Sequence, residues 1–202
     1  MQQKTYSSLL SLVKALAGVN EFTSDEETYI VDFTNRRAQE AYDSSEYWTR
    51  YLVAGESRTV SSDQVVSFTE TGKTSIGDFL RIHRTQPFLR NSAVEYEFFV
   101  DANGAHIINM GGSTASSAFV TYKKRLDEIT ATSTDIPLEF FYFIAHATYA
   151  DFLRMDGQNE KAIVEEQIAR QYLDAELGKL DIISNTNTVG KKISTYVNRQ
   201  SR

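Results

Sequence analysis

The sequence predicts an α+β protein: a four-helix antiparallel core, built as two helix pairs, with a small antiparallel β-sandwich inserted between the pairs and an extended C-terminal tail. Three observations predict this. Apolar residues recur at helical spacing in the first and last thirds, and short alternating runs fill the middle third. The last segment has four basic residues and no acidic one. The predicted boundaries are 1–57 for the first helix pair, 58–128 for the β-sandwich, 129–183 for the second helix hairpin and 184–202 for the tail.

The composition excludes several classes of protein. The chain has 202 residues, 41% of them hydrophobic and 24% charged, which is typical of a globular protein with a core. It contains no cysteine, so disulfide scaffolds, thiolate metal sites and cysteine nucleophiles are excluded. Its net charge of −6 argues against a surface built wholly for nucleic acid. No apolar run reaches the roughly 20 residues that span a bilayer, and the polar start is not typical of a signal peptide.

Two helices are predicted before the β insertion. The first carries apolar residues at helical spacing and ends at Gly18; these residues are Leu9, Leu12, Val13 and Leu16. The second begins at a capping box formed by Ser24 and Glu27 and, with no proline or glycine until Gly55, is expected to run from about 24 to 52.

The middle of the chain changes to strand spacing. Residues 94–100 alternate apolar with polar for most of their length, the turn 101–104 contains Asn103-Gly104, and an apolar run follows. Asn-Gly between two such runs predicts a β-hairpin, since both residues tolerate positive φ. Residues 118–123 are predicted to form a further strand.

Helices are predicted again after the insertion. Pro137 suits the first turn of a helix, with Asp135 upstream as its cap. This helix has apolar residues on most sides and is therefore expected to be buried. Asp156-Gly157 ends it, and the next helix starts at Asn159, so the two should form an antiparallel hairpin.

The tail, 184–202, differs in charge from the rest of the chain. It carries +4, which leaves −10 for residues 1–183. Its apolar residues are too few to bury one another; they are Val189, Ile193, Tyr196 and Val197. Such a segment is expected to be disordered alone or to order against a partner.

Motifs for phosphate binding and nucleophilic catalysis are incomplete. Gly72-Lys73-Thr74 resembles the end of a phosphate-binding loop, but Ser67 stands where the loop needs another glycine. Gly111-Gly112-Ser113 lacks dinucleotide-binding spacing, and Gly55-Glu56-Ser57 is not completed to a nucleophile elbow because Thr59 replaces the second glycine. The first is predicted to be a hairpin turn and the second a turn or bulge.

The titratable residues also favour structural roles. His83, His106 and His146 are separated in sequence and are expected to be hydrogen-bonded structural residues rather than metal ligands. Glu165 and Glu166 lie at helical spacing from Lys161 and Arg170, which predicts a solvated, ion-paired face. Asp151, within an apolar run, is expected to be a polar edge of the buried helix. We therefore predict no enzyme activity, no catalytic residue, no cofactor and no metal.

Three segments resemble a known family. They are Ile136-Pro137-Leu138-Glu139, then Ala147-Thr148-Tyr149-Ala150-Asp151-Phe152-Leu153, then Gly157-Gln158-Asn159-Glu160-Lys161-Ala162. Their order resembles tailed-bacteriophage head-to-tail connector (adaptor) proteins, in which "IP" enters a buried helix and a "G-Q-x-x-K-A" turn leads to a last long helix. Residues 47–62 and 195–202 resemble the versions found in short-tailed marine phages. The resemblance covers nearly the whole chain, including the β insertion.

The resemblance implies a virion structural protein without catalysis. Adaptors of this family form a ring, typically of twelve copies, beneath the portal protein, extend the DNA channel and dock a tail nozzle or tail tube protein. They contact passing DNA without sequence specificity, do not bind membranes, and are made in the host cytoplasm before joining the neck of the virion. The C-terminal extension grips the portal, which places the expected contacts at Lys191, Lys192, Tyr196, Arg199 and Arg202.

Two alternatives stay open at this point. Within the virion, the protein would be a stopper or tail-completion ring at the neck. In a different class, the β-sandwich would be a glycan-binding module whose clustered aromatics stack on sugars; these are Tyr96, Phe98, Phe99, Phe119 and Tyr122. Their alternation with polar residues favours core filling over sugar binding. A hydrolase is a distant third.

Overall fold

The structure, a computed structural model, describes residues 2–87, 94–108 and 115–200, with side chains up to residue 180. It is an α+β fold with four α-helices and a curled antiparallel sheet. The chain divides into two compact units. The helical unit comprises Met1–Ser45 and Glu128–Arg202, and the β unit comprises Glu46–Asp127.

The first helix, α1, spans Tyr6–Ala17. The Thr5 side chain caps its start by accepting a hydrogen bond from the Ser8 N–H. Gly18 ends it with φ of 70°, a left-handed conformation that costs glycine little, so the predicted stop is confirmed. Leu9 and Val13 are fully buried on its inner face.

The second helix, α2, spans Ser24–Asp43. Its capping box is formed by Thr23 and Glu26, one residue before the predicted pair. The predicted extension to residue 52 is wrong. The Ser44 hydroxyl donates to the Ala41 carbonyl at 2.6 Å, and its N–H bonds the same oxygen, a local bonding pattern that competes with further helix.

The third helix, α3, spans Leu138–Met155 and is central to the helical unit, where it packs against α1 and α2. Phe140, Phe143 and Ile144 are almost completely buried, as the all-round apolar sequence predicts. Pro137 is its N-cap residue, and no side chain caps the helix, so the predicted cap at Asp135 is wrong. The reason is that Ile136–Pro137 (β8) pairs with Gln3–Lys4 (β1), and the strand pairing determines how the chain enters α3.

The fourth helix, α4, spans Asn159–Gln200. It follows the predicted turn, in which Gly157 has φ of 76°, and it packs antiparallel to α3 through Ala162, Ala169 and Leu173. The backbone of 184–200 continues this helix, so the predicted extended tail is wrong there. This segment contains no proline, and its apolar residues recur at helical spacing, a periodicity that its basic charge obscured.

The β unit contains six strands in one antiparallel sheet: β2 (Leu52–Thr59), β3 (Val65–Val66), β4 (Ile76–His83), β5 (Glu95–Asp101), β6 (Gly104–Ile108) and β7 (Ser117–Lys124). Their order across the sheet is β2-β7-β4-β5-β6-β3. Because β4 pairs with both β7 and β5, the strands join into one curled sheet, and the predicted pair of facing sheets is not confirmed. Register shifts along β4 mark bulges, which increase local twist.

The predicted hairpin at 101–104 is confirmed, but its turn also depends on hydrogen bonds to the Asp101 side chain, which were not predicted. Asp101 Oδ1 accepts hydrogen bonds from the N–H groups of Asn103 (2.7 Å) and Gly104 (3.3 Å). Gly104 has φ of 142°, and a Cβ there would lie 2.1 Å from the Val66 carbonyl oxygen. Glycine is therefore needed for a close approach to β3 as well as for backbone conformation.

Candidate functional site

The predicted portal-binding residues lie on or beyond the last part of α4. The backbone at Lys191, Lys192, Tyr196 and Arg199 is helical, but their side chains lie outside the described residues, and so does the whole of Arg202. The structure therefore changes the expected conformation of this segment, while its contacts stay a prediction.

The lengths of α3 and α4 differ greatly. At 1.5 Å per residue, the 18 residues of α3 span about 27 Å and the 42 residues of α4 about 63 Å. Since the two helices run antiparallel from a short turn, α3 can cover only the first half of α4. Leu173 is the last buried residue described on α4, which agrees with this limit.

A partly exposed aromatic stack lies on the described part of the α3–α4 hairpin. The rings of Tyr142 and Tyr172 stack at 5.3 Å, and each side chain is more than 40% exposed. The His146 ring also stacks with Tyr172, at 5.4 Å, and its Nδ1 lies 2.8 Å from Glu165 Oε2. Sequence reasoning missed this surface because α3, with apolar residues on most of its sides, was expected to be buried. The i, i+4 spacing of Tyr142 and His146 was the available signal.

Asp151 lies at the centre of a buried ion cluster that joins three helices. Its side chain accepts two hydrogen bonds of 2.7 Å from Arg37 of α2 and also contacts Arg36. Arg154, one turn along α3, donates to Asp151 Oδ1 at 3.0 Å. Burial opposes the charged carboxylate, but the hydrogen bonds from Arg37 and Arg36 outweigh it and hold the pKa of Asp151 below its ordinary value. Asp151, which was predicted to be a polar residue at the edge of the buried helix, is therefore a buried carboxylate whose two oxygens are both paired with arginines.

Glu166 extends this cluster onto α4. It forms ion pairs with Arg154 and with Arg170, the second at 3.2 Å. The hydrogen bond from Arg154 lowers the pKa of Glu166, despite partial burial. The predicted ion-paired face is therefore confirmed for Glu166 and Arg170, whereas Glu165 pairs with His146 and Lys161 donates to Gln158.

The β unit has its own buried polar group at Arg58. This side chain is completely buried, and its NH2 donates to the Tyr122 hydroxyl and the Thr74 carbonyl, both at 2.6 Å. Its guanidinium also lies 4.8 Å from the centre of the Tyr122 ring. Glu56 completes the arrangement with an ion pair at 2.7 Å. These contacts pair the NH2 nitrogen of this buried charge, whereas Nε and NH1 have no hydrogen-bond partner among the described residues.

The aromatics considered for sugar stacking are divided between core and surface. Tyr96 and Tyr122 are buried, and Phe98 packs against the core of the β unit. Phe99 is 53% exposed and stacks on His106 at 4.6 Å. These side chains therefore do not form one exposed aromatic platform.

The remaining motifs take structural places. Gly72 and Lys73 lie in a turn before β4, and Gly55 lies within β2 with φ of 66°, so neither motif enters a helix. Gly111-Gly112-Ser113 lies outside the described residues. His146 has the expected hydrogen-bond partner, and His106 Nε2 lies 3.0 Å from Asp101 Oδ2. The prediction is wrong for His83, whose ring forms no hydrogen bond with the described residues.

Within 2–87, 94–108 and 115–180, no group of three or more acidic or histidine side chains is placed to hold a metal ion. In the same part of the chain, no helix is long and apolar enough to cross a membrane.

Comparison of the sequence with protein-family models and with curated proteins finds no match.

Proposed function

We propose that this protein is a head-to-tail adaptor of a tailed bacteriophage. Copies of the chain would form a closed ring beneath the portal, extend the DNA channel and dock a tail protein, with the C-terminal segment gripping the portal. In this proposal the four helices form one core and the β unit is an insertion between the two helix pairs. No catalytic step is involved.

The observation that carries the proposal is the excess length of α4. About 20 residues of this helix extend past the reach of α3, and within them residues 184–200 include three basic residues and no acidic one on an otherwise acidic chain. A lone helix of this length is marginal in water, so its stability calls for a contact outside the hairpin. An acidic groove on another protein would satisfy both its charge and its need for packing.

The order of the family-like segments also supports the proposal. Ile136-Pro137 stands at the entry to α3, residues 147–153 lie in its buried second half, and Gly157 leads into α4. The arrangement is the one that the resemblance implies, although each piece alone is compatible with other helical proteins. A helix rather than an extended strand would then be the portal-binding element.

Binding to the portal protein of the same phage tests this function. We expect native mass spectrometry to show the full chain bound to the portal ring in about twelve copies, and a chain ending at Ser184 to be unbound. Lys191→Glu with Lys192→Glu should weaken binding at least roughly tenfold. The matched control is Lys161→Glu with Lys179→Glu, which places the same charges on exposed positions of α4.

The C-terminal grip and the adaptor assignment are tested by different outcomes. Portal binding that survives the truncation would refute the C-terminal grip, and a full chain that never binds the portal would refute the adaptor assignment. The stopper or tail-completion alternative is tested by the position of the ring along the neck in a virion map. Density away from the portal would favour that alternative.

A further inference from the structure

A cleft crosses three neighbouring strands of the β unit. Its floor includes residues of β2, β7 and β4, and it encloses about 490 Å³. This volume lies in the range of about 300–1,000 Å³ that is typical of small-molecule sites. All its described lining residues belong to the β unit.

His83 lines this cleft, and its side chain is one of several in the described residues that carry a buried polar atom without a hydrogen-bond partner. Its side chain is only 7% exposed, and its buried Nδ1 has no hydrogen-bond partner. Leaving a buried donor or acceptor unpaired costs about 1–3 kcal/mol, and such groups are rare in native proteins. Nδ1 itself has almost no accessible surface, so a ligand in the cleft would have to reach the imidazole through its other nitrogen, Nε2.

Two opposite charges also line the cleft. Glu46 and Arg81 are exposed, and among the described residues neither forms an ion pair. Thr121 Oγ1 accepts a hydrogen bond of 3.2 Å from the Gly55 N–H, which leaves its own proton free to donate. The cleft therefore offers acceptors and donors together. A ligand with a single net charge would be repelled by either Glu46 or Arg81. Neutral hydroxyl groups, in contrast, can form hydrogen bonds with each of these side chains.

Aromatic and aliphatic side chains supply the rest of the lining. Tyr47 is 60% exposed, the highest exposure among the large apolar residues in the described part of the chain, and Phe79 lies on β4. The exposed part of a flat ring at the edge of a cleft offers a surface for the C–H face of a sugar ring. Leu52, Leu80 and Pro87 add apolar surface.

We propose that this cleft binds a neutral saccharide of one or two sugar units, with Tyr47 packing against a sugar ring and Glu46, Arg81 and His83 hydrogen-bonding its hydroxyl groups. This site is distinct from the five aromatics considered at the sequence level. It is also independent of the adaptor function, because the proposed portal contacts lie on α4.

Saturation-transfer NMR on the full chain tests the site, with maltose, cellobiose, lactose and N,N′-diacetylchitobiose as probes. We expect at least one disaccharide to bind, and Tyr47→Ala to weaken its binding roughly tenfold or more. Arg81→Gln should weaken it too; this side chain is exposed and unpaired in the described structure, so its loss leaves the fold intact. Tyr29→Ala is the matched control, an exposed tyrosine on α2 whose removal should leave sugar binding unchanged.

Three results would overturn the proposal: no signal from any of the four disaccharides, equal binding by the wild type and both cleft variants, or binding of free leucine instead of a sugar. A zwitterion would also pair with Glu46 and Arg81, so the leucine arm distinguishes the two ligand chemistries. Portal binding by Tyr47→Ala and Arg81→Gln should equal that of the wild type. A failed sugar test thus leaves the adaptor assignment to its own experiment.

Discussion

Asp151 shows how one residue can connect most of the helical unit. It lies on α3 and is 5% exposed, and it is paired with arginines from α2 and from its own helix. We expect Asp151→Asn to destabilise the protein by about 3–5 kcal/mol, because removing one member of a buried ion pair leaves the other charges uncompensated. Urea unfolding measures this change. Asp174→Asn, an exposed position on α4, is the control and should change stability by less than about 0.5 kcal/mol.

The same cluster predicts a pH dependence. The pKa values of Asp151 and Glu166 are both lowered in the folded state, so the unfolded state binds protons more readily as the pH falls. Their stabilisation is therefore complete above the ordinary carboxyl pKa values, near about 4, and is lost below them. We expect the free energy of unfolding to decrease between about pH 5 and pH 2, and to decrease less steeply in Asp151→Asn. Equal slopes for the two proteins would contradict this assignment.

At the residue scale, the sequence identified Asp151 as unusual but not its partners. An acid within an apolar run must be paired if it is buried, and this follows from the sequence. Arg37, however, is 114 positions away, and it is one of several charged residues on α2. Choosing it required knowing which face of α2 meets α3. His83 was missed for a related reason, since a lone histidine in a strand does not reveal whether a partner stands opposite.

At the element scale, helix ends that are marked by a glycine could be predicted from the sequence. Helix ends at which a side chain competes with the backbone for a hydrogen bond could not. Gly18 and Gly157 adopt the left-handed conformation that ends a helix, and both ends were found. The end of α2 depends on one serine hydroxyl bonding a carbonyl, a weak signal without glycine or proline. The helical backbone of 184–200 was missed because its basic charge and sparse apolar residues favoured a disordered tail.

The edge strand β2 is protected by side chains. It is the outermost strand on one side of the sheet, where free N–H and C=O groups can pair with another chain. The Thr59 N–H bonds the Glu70 carboxylate, and the Ser57 carbonyl accepts a hydrogen bond from Lys73 Nζ. Glu70 and Lys73 also pair with each other at 2.9 Å. Together they occupy backbone groups that an incoming strand would need.

Removing this protection should promote self-association. We expect Glu70→Ala with Lys73→Ala to form dimers and larger species at concentrations where the wild type does not, because the exposed edge can then extend the sheet. Sedimentation velocity at two protein concentrations measures this. Asp63→Ala with Lys161→Ala removes one acid and one base at exposed positions away from these contacts, and should match the wild type. Identical sedimentation of both double variants would rule out an edge-protecting role.

At the scale of the whole molecule, the two compact units predict that the β unit can be removed. The chain leaves α2 at Asp43 and returns at Ile129, whose backbone N–H and C=O both bond the Asn35 side chain at 2.8 Å. Asn35 lies eight residues before the end of α2, so the gap is about 12 Å along the helix. A flexible linker of about six Gly and Ser residues has an average span of that order.

We therefore expect a chain in which such a linker replaces residues 46–127 to fold as a helical protein with one cooperative thermal transition. Circular dichroism and proton NMR would measure this, and the isolated segment 46–127 should separately show the signature of a folded sheet. The matched variant adds Asn35→Ala to the shortened chain, and should lower its transition temperature because the returning segment at Ile129 loses both hydrogen bonds. If the shortened chain melts without cooperativity, the helices need the β unit to fold. If it folds and still binds the portal ring, the grip lies within the helical unit, as the length and charge of α4 imply.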